Sequence, residues 1–248
     1  MTDSLLILAA GFLGGMLNAV AGGGTFITFP ALVASGVPVV MANATSTVAA
    51  LPGYLSSAIG FRHEIAQIDR RLVLRLTMQT LLGGIVGSAL LLVSSNTAFA
   101  FLVPFLLLAA TLIFLWGGKV RQWAGAHRNA VAPFSAGTMI PVAVYGGYFN
   151  GGLGIILLAL FALWGMTDLN RMNGLKTWLS FALSVIALGI FAVGGQVAWA
   201  PAAVMSVGTI LGGYMGPPLA RRIPMPLLRA LIAAVGFGMT ALFFWRLL

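Results

Sequence analysis

Six stretches of the sequence hold enough consecutive apolar residues to cross a bilayer as helices: Asn43–Phe61, Leu72–Val93, Ala98–Trp116, Asn173–Val193, Ala198–Met215 and Leu227–Trp245. A helix rises about 1.5 Å per residue, so roughly 20 residues span a hydrocarbon core of about 30 Å. Packed into 248 residues, these segments leave no room for a sizeable soluble domain. Charge agrees, since 7% of residues are charged against roughly 25% in soluble domains. The fold class expected is an all-α polytopic membrane protein.

Several function classes fall away at once. With 0 cysteines and 2 histidines, His63 and His127, there is no thiolate chemistry, disulfide or zinc site to build, and no cofactor or metal is expected. A formal charge of +9 would suggest nucleic acid in a soluble protein; in a membrane chain the Lys and Arg are topology signals, and nucleic acid is excluded as a partner. Neither HExxH nor GxSxG occurs, and Gly118-Lys119-Val120 lacks the Ser/Thr and upstream glycine of a phosphate loop, so no enzyme is expected. The apolar run from Leu5 to Ala19-Val20-Ala21 imitates a cleavable signal but has no basic start, and it reads as mature protein.

Three basic connections, Arg62–Arg71, Lys119–Arg128 and Arg221–Arg222, fall on one side of the membrane if the six stretches cross as written. The positive-inside rule makes that side cytoplasmic, with both termini periplasmic. Of 13 Lys and Arg, only Arg246 then sits at an outer end. Two further apolar stretches, Leu5–Ser35 and Phe134–Trp164, are interrupted by Gly22-Gly23-Gly24 and by Gly151-Gly152-Leu153-Gly154. Their distal arms, Thr25–Ser35 and Ile155–Trp164, are too short to cross, so each stretch reads as a helix that enters, breaks and returns.

The two halves resemble each other. Thr80-Leu81-Leu82-Gly83-Gly84-Ile85-Val86-Gly87 matches Thr209-Ile210-Leu211-Gly212-Gly213-Tyr214-Met215-Gly216 at an offset of 129. At an offset of 130, Gly22 and Gly24 fall on Gly152 and Gly154, Asn43 on Asn173, and Thr47 on Thr177. The charge-derived topology starts one copy outside and the other inside. The expected architecture is therefore two inverted-topology repeats, 1–130 and 131–248, each a broken re-entrant hairpin plus three transmembrane helices, forming a single transporter unit. Gly83, Gly87, Gly212 and Gly216, at helical spacing, read as close-packing positions. The consecutive glycines differ: they expose backbone that is tolerated at membrane depth only inside protein or along a cavity.

At each break a returning helix begins, and its free N–H groups and positive dipole end make an anion site. The candidate substrate-binding residues are Gly22, Gly23, Gly24, Gly151, Gly152 and Gly154, with Asn18, Thr25, Tyr148 and Asn150 flanking the breaks. Asn43 and Asn173 head the matching long spans, and both capping and substrate binding stand open for them. For Lys176, about a turn into its span, drawing anions into the cytoplasmic mouth and snorkelling to the interface stand equally. Arg171 reads as a topology charge paired with Asp168. None of the 4 acidic residues falls in the middle of a predicted span. Coupling then rests on the substrate's own protonation, or transport is passive.

Gly11-Phe12-Leu13-Gly14-Gly15, Ala21-Gly22-Gly23-Gly24-Thr25-Phe26-Ile27-Thr28-Phe29-Pro30-Ala31-Leu32 and Ala42-Asn43-Ala44-Thr45-Ser46-Thr47 resemble the TauE/SafE sulfite exporter family. In the second half, Tyr145-Gly146-Gly147-Tyr148-Phe149-Asn150-Gly151-Gly152-Leu153-Gly154-Ile155 and Arg171-Met172-Asn173-Gly174-Leu175-Lys176 resemble its second repeat. The resemblance implies a bacterial inner-membrane permease that moves sulfite, sulfoacetate or related organosulfonates, commonly outward, by alternating access. An anion-selective channel, or a carrier of another small anion, is the alternative. The partners expected are a small anionic sulfur-containing substrate and the lipid bilayer, with a homodimer left open.

Overall fold

A computed structural model describes residues 2–20, 22–127, 132–220 and 225–245. Its elements are α1 (Thr2–Val20), α2 (Thr25–Ala34), α3 (Val39–Gly60), α4 (Arg62–Ala66), α5 (Arg70–Val93), α6 (Asn96–Ala126), α7 (Ala136–Tyr148), α8 (Leu153–Leu163), α9 (Leu169–Val193), α10 (Trp199–Ala220) and α11 (Met225–Trp245). The described residues are all helix and connection, without a strand. The expected crossings correspond to α3, α5, α6, α9, α10 and α11, and the two broken stretches to α1 with α2 and α7 with α8. Three of these helices, over Arg70–Val93, Asn96–Trp116 and Leu169–Val193, are long and apolar enough to span a membrane by that measure alone.

Several boundaries differ from the sequence reading, for local reasons. The helix α6 runs ten residues past Trp116 to Ala126, because Lys119 to Ala124 are mostly good helix formers and nothing there stops the turn. Both α3 and α9 start one turn earlier than expected. Asp168 caps α9 by accepting the N–H groups of Asn170 and Arg171, and Pro38 precedes α3. Asn43 and Asn173 are therefore inside their helices, and neither serves as a cap. Gly154 lies in the first turn of α8 and not in the break before it. Arg128, Arg221, Arg222 and Arg246 lie outside the described residues, as does the expected boundary between the halves.

The side chains are sorted for a bilayer. On α5, Leu74, Met78, Leu82, Val86, Leu90 and Val93 form an exposed stripe at helical spacing, while Gln79, Thr80, Gly83, Gly84, Gly87 and Ser88 are buried on the other side. Small and polar residues face the protein and large apolar ones face outward, as expected where lipid gives no hydrophobic drive for helix association. The long central helix α3 buries Asn43, Thr45, Ser46 and Thr47.

Close packing follows the glycines. A methyl at Gly83 would meet the Ala143 Cβ at 2.5 Å and one at Gly87 would overlap the Val144 carbonyl, so α5 lies backbone to backbone on α7. In the same manner Gly212 lies against the Phe12 carbonyl, and Gly11 and Gly15 against the Met205 and Thr209 carbonyls, which seats α10 on α1. The surroundings of Gly216 are not among the described residues. Each glycine-broken stretch thus packs on a long helix distant from it in sequence. The long helices α3 and α9 run antiparallel: Phe61 touches Gly174 near the start of α9, while Thr45, near the start of α3, accepts the Ala198 N–H beyond the end of α9. Both short arms end alike, with Gly36 and Gly165 in left-handed conformation and bonds of Val37 to Leu32 and Met166 to Phe161 closing the last turn.

Candidate functional site

The two glycine breaks meet inside the protein. Gly22 and Gly152, at φ +80° and +73°, turn the chain where an L side chain would be strained. A methyl on Gly22 would come within 2.6 Å of the Gly154 Cα, and one on Gly154 within 2.6 Å of the Gly22 Cα. In this conformation the breaks are pressed together backbone to backbone. Asn18, Thr25, Asn43, Asn150 and Lys176 are all buried, as are the glycines of both breaks, and only Tyr148 and Asn173 keep partial exposure.

Cross-chain hydrogen bonds tie each break to the opposite half. Asn43 Nδ2 donates to the Tyr148 carbonyl at the end of α7 at 2.8 Å. Lys176 Nζ reaches the Asn18 carbonyl near the end of α1 at 3.5 Å and donates to Asn173 Oδ1 at 2.9 Å. The two receiving carbonyls occupy positions 18 and 148, equivalent under the 130-residue offset. Lys176 is 1% exposed, and its stem lies against Gly154, with Cδ 3.1 Å from where a methyl would sit. Its ammonium points inward, so the snorkelling alternative does not hold. It stands at the C-terminal end of α1, where the helix dipole favours positive charge.

Around these groups the hydrogen bonding is incomplete. Asn18 Oδ1 accepts the Gly24 N–H at 2.7 Å and so satisfies the first break. At the second, Tyr145 donates to the Gly151 carbonyl, but both polar atoms of the buried Asn150 side chain lack a partner, as does Asn43 Oδ1. Asn150 also holds φ +61°, uncommon for a residue other than glycine. The Tyr54 hydroxyl of α3 faces Asn150 without completing a hydrogen bond to it. Tyr148 points elsewhere: its ring packs edge-on against Phe99 and its hydroxyl lies 3.4 Å from Ser94 Oγ. Thr25 opens α2 beside the first break.

Tyr54 and Tyr145 escaped the sequence reading. Tyr145 precedes Gly146-Gly147 and Tyr54 follows Gly53, but neither flanks the glycine runs that break the helices; only their approach to the second break gives them a part. Arg171 behaves as expected, with Nε 3.3 Å from Asp168 Oδ2 on the surface, and it also donates to Gln67. A cavity of about 430 Å³ opens beside the ends of α3 and α10, with Ser56, Ser57, Phe61, Glu64 and Asn170 in its lining. Phe61 packs on Gly174, next to Asn173.

Residues 7–243 match the family model described as sulfite exporter TauE/SafE. The chain is 31% identical over 241 residues to a probable membrane transporter protein of Haemophilus influenzae, an alignment covering 96% of this chain and 94% of the relative. It is 30% identical over 232 residues to the probable membrane transporter protein YfcA of Escherichia coli strain K12, covering 92% and 85%. It is 25% identical over 235 residues to the probable membrane transporter protein ORF9 of a Sinorhizobium species, covering 94% and 89%. No solved structure matches the chain.

Proposed function

The chain belongs to the TauE/SafE sulfite exporter family of membrane transporters, and on that premise we propose that it carries sulfite, sulfoacetate or a related organosulfonate across the bacterial inner membrane by alternating access. The observation that carries this reading is Lys176, a buried lysine where the two glycine breaks meet, with only neutral acceptors as partners. A charge sealed at membrane depth is costly unless a partner offsets it. A sulfonate head supplies the missing negative charge and three acceptor oxygens for the ammonium, the free Asn150 amide and the N–H groups that open α8. The Gly22–Gly154 contact leaves no room for an anion between the breaks in this conformation, so the substrate enters when the halves move apart.

Inverted repeats supply that movement. The antiparallel pairing of α3 with α9, the exchanged packing of α1 on α10 and α7 on α5, and the matched glycine turns support the reading of 1–130 and 131–248 as inverted copies that rock against each other. With the basic connections cytoplasmic and the termini periplasmic, the 430 Å³ cavity, with Phe61 in its lining, serves in this reading as the cytoplasmic vestibule. The sealed contact between the breaks favours a carrier over an anion-selective channel.

The test is thermal stability of the detergent-purified protein in sulfite, sulfate, thiosulfate, phosphate and short organosulfonates. A ligand at 100 times its Kd stabilises the native state by about 2.7 kcal/mol. Selective stabilisation by one sulfur anion is expected, whereas an unchanged unfolding temperature across the set discards the substrate class. Saturable counterflow in vesicles is expected of a carrier; conductance far above carrier turnover would instead establish the channel.

A further inference from the structure

Lys176 is the one charged side chain among the buried residues described. The sequence's four acidic residues, Asp3, Glu64, Asp69 and Asp168, all lie near helix starts or in the short α4, so no carboxylate stands in the interior to relay protons. We propose that Lys176 is the coupling site of the transport cycle: it holds a proton while the anion is bound and releases it when the anion leaves, so that proton and anion cross together. This rests on the anion-carrier reading above.

The argument begins with the empty carrier, which must pass through a state as sealed as this one. Burying an ammonium there beside two neutral acceptors leaves its charge uncompensated, and a group so placed neutralises itself where it can. The amine form loses little, since its two N–H bonds still reach Asn173 Oδ1 and the Asn18 carbonyl. With an anion bound, the ammonium is paired and the complex carries no net charge if the substrate is a monoanion. The balance is simple: water on the side of binding gives the proton to Nζ, water on the side of release takes it, and no other group changes state.

The surroundings of Lys176 leave it without a competitor. Among its neighbours α1 brings Asn18, with Asp3 exposed at the far end, and α8 brings no titratable side chain. Tyr54 comes from α3, and Tyr145 and Tyr148 come from α7. Arg62, His63 and Glu64 of α4, Arg70, Arg71 and Arg75 of α5, and Arg171 of α9 itself are exposed or half-exposed at the rim. At the equivalent position of the first half, Ser46 shares a 2.6 Å hydrogen bond with Thr28, so the charge stands on one half only.

The experiment uses the full chain in proteoliposomes with an internal pH dye. Isethionate is the probe, because a sulfonate stays ionised and any proton counted is not its own; sulfite is run in parallel. Wild type is expected to accumulate the probe down an imposed pH gradient, with a proton signal matching the anion flux. Lys176→Arg, charged throughout, is expected to keep counterflow but lose gradient-driven accumulation by at least about tenfold. Lys176→Gln is expected to lose both. Accumulation that still follows the pH gradient in either variant overturns the proposal, as does net isethionate uptake by wild type with no accompanying proton. Where a variant does not fold, proton uptake on isethionate binding to wild type, measured by calorimetry in two buffers of different ionisation heat, decides: zero uptake overturns the proposal. No flux of either anion by wild type overturns the carrier reading and this inference with it, whereas uncoupled flux leaves the carrier standing.

Discussion

The two glycine breaks share a backbone device and differ in chemistry. Each ends a re-entrant helix, turns through a glycine at positive φ, and starts a short arm that closes on a second left-handed glycine. At the first break the polar groups are settled: Asn18 accepts the Gly24 N–H and Ser46 pairs with Thr28. At the second, Asn150 is strained and unpartnered, and Lys176 stands where the first half has Ser46. Two breaks of like backbone shape can keep the same packing while one of them gives up hydrogen bonds and lies beside a buried lysine. Strain and unsatisfied groups of this kind gather at functional sites, and among the described residues of the two breaks they coincide at Asn150 of the second.

Substitutions at paired positions put that difference to work. The largest effect is expected from Lys176→Ala, which removes the only buried cation described and weakens anion binding by roughly 30-fold or more, about 2 kcal/mol; the measurement is the shift in anion-dependent unfolding temperature. Ser46→Ala, its counterpart, is expected to leave anion affinity within about twofold, and an equal loss at both would end the asymmetry. Gly22→Ala comes next, since strained φ alone costs about 1–3 kcal/mol and the methyl also strikes Gly154. Gly152→Ala meets only the Ala110 Cβ at 3.4 Å and is expected to cost less, as read from the two unfolding temperatures. Asn18→Ala orphans the buried Gly24 N–H and is expected to lower stability by about 1–3 kcal/mol. Smallest, and opposite in sign, Asn150→Gly relieves the positive φ and is expected to raise the stability of the empty protein by up to about 1 kcal/mol. The same change is expected to weaken anion binding about tenfold. A gain in stability with unchanged affinity would remove Asn150 from the site.

Much of the fold was legible in the sequence because its strongest signals are one-dimensional. Runs of apolar residues located the long helices, and glycine clusters located both breaks to within a few residues. Gly83, Gly87 and Gly212 proved to be close-packing positions, as their spacing implied. Boundaries set by single residues were not legible. Asp168 moves the start of α9 back by one turn, which removes the capping alternative left open for Asn173 and leaves it a partner of Lys176. The site was legible in part: the glycine runs pointed to the breaks, but nothing in the local sequence shows that Tyr54 and Tyr145 approach the second of them.

Composition and patterning alone determined that this chain lives in a bilayer as helices and that two of its apolar stretches cannot cross unbroken, because helix rise and bilayer thickness admit few alternatives. The tertiary structure alone decided which side chains share the interior. Gly22 against Gly154, Lys176 against the end of α1, and Asn43 against the end of α7 are contacts between residues more than 100 positions apart. A local pattern carries no information about such meetings; they are set by the packing of α1 on α10 and of α7 on α5. At Lys176, where the sequence left anion attraction and snorkelling equally open, that packing buries the side chain with its stem against Gly154 and its ammonium at the Asn18 carbonyl and Asn173 Oδ1.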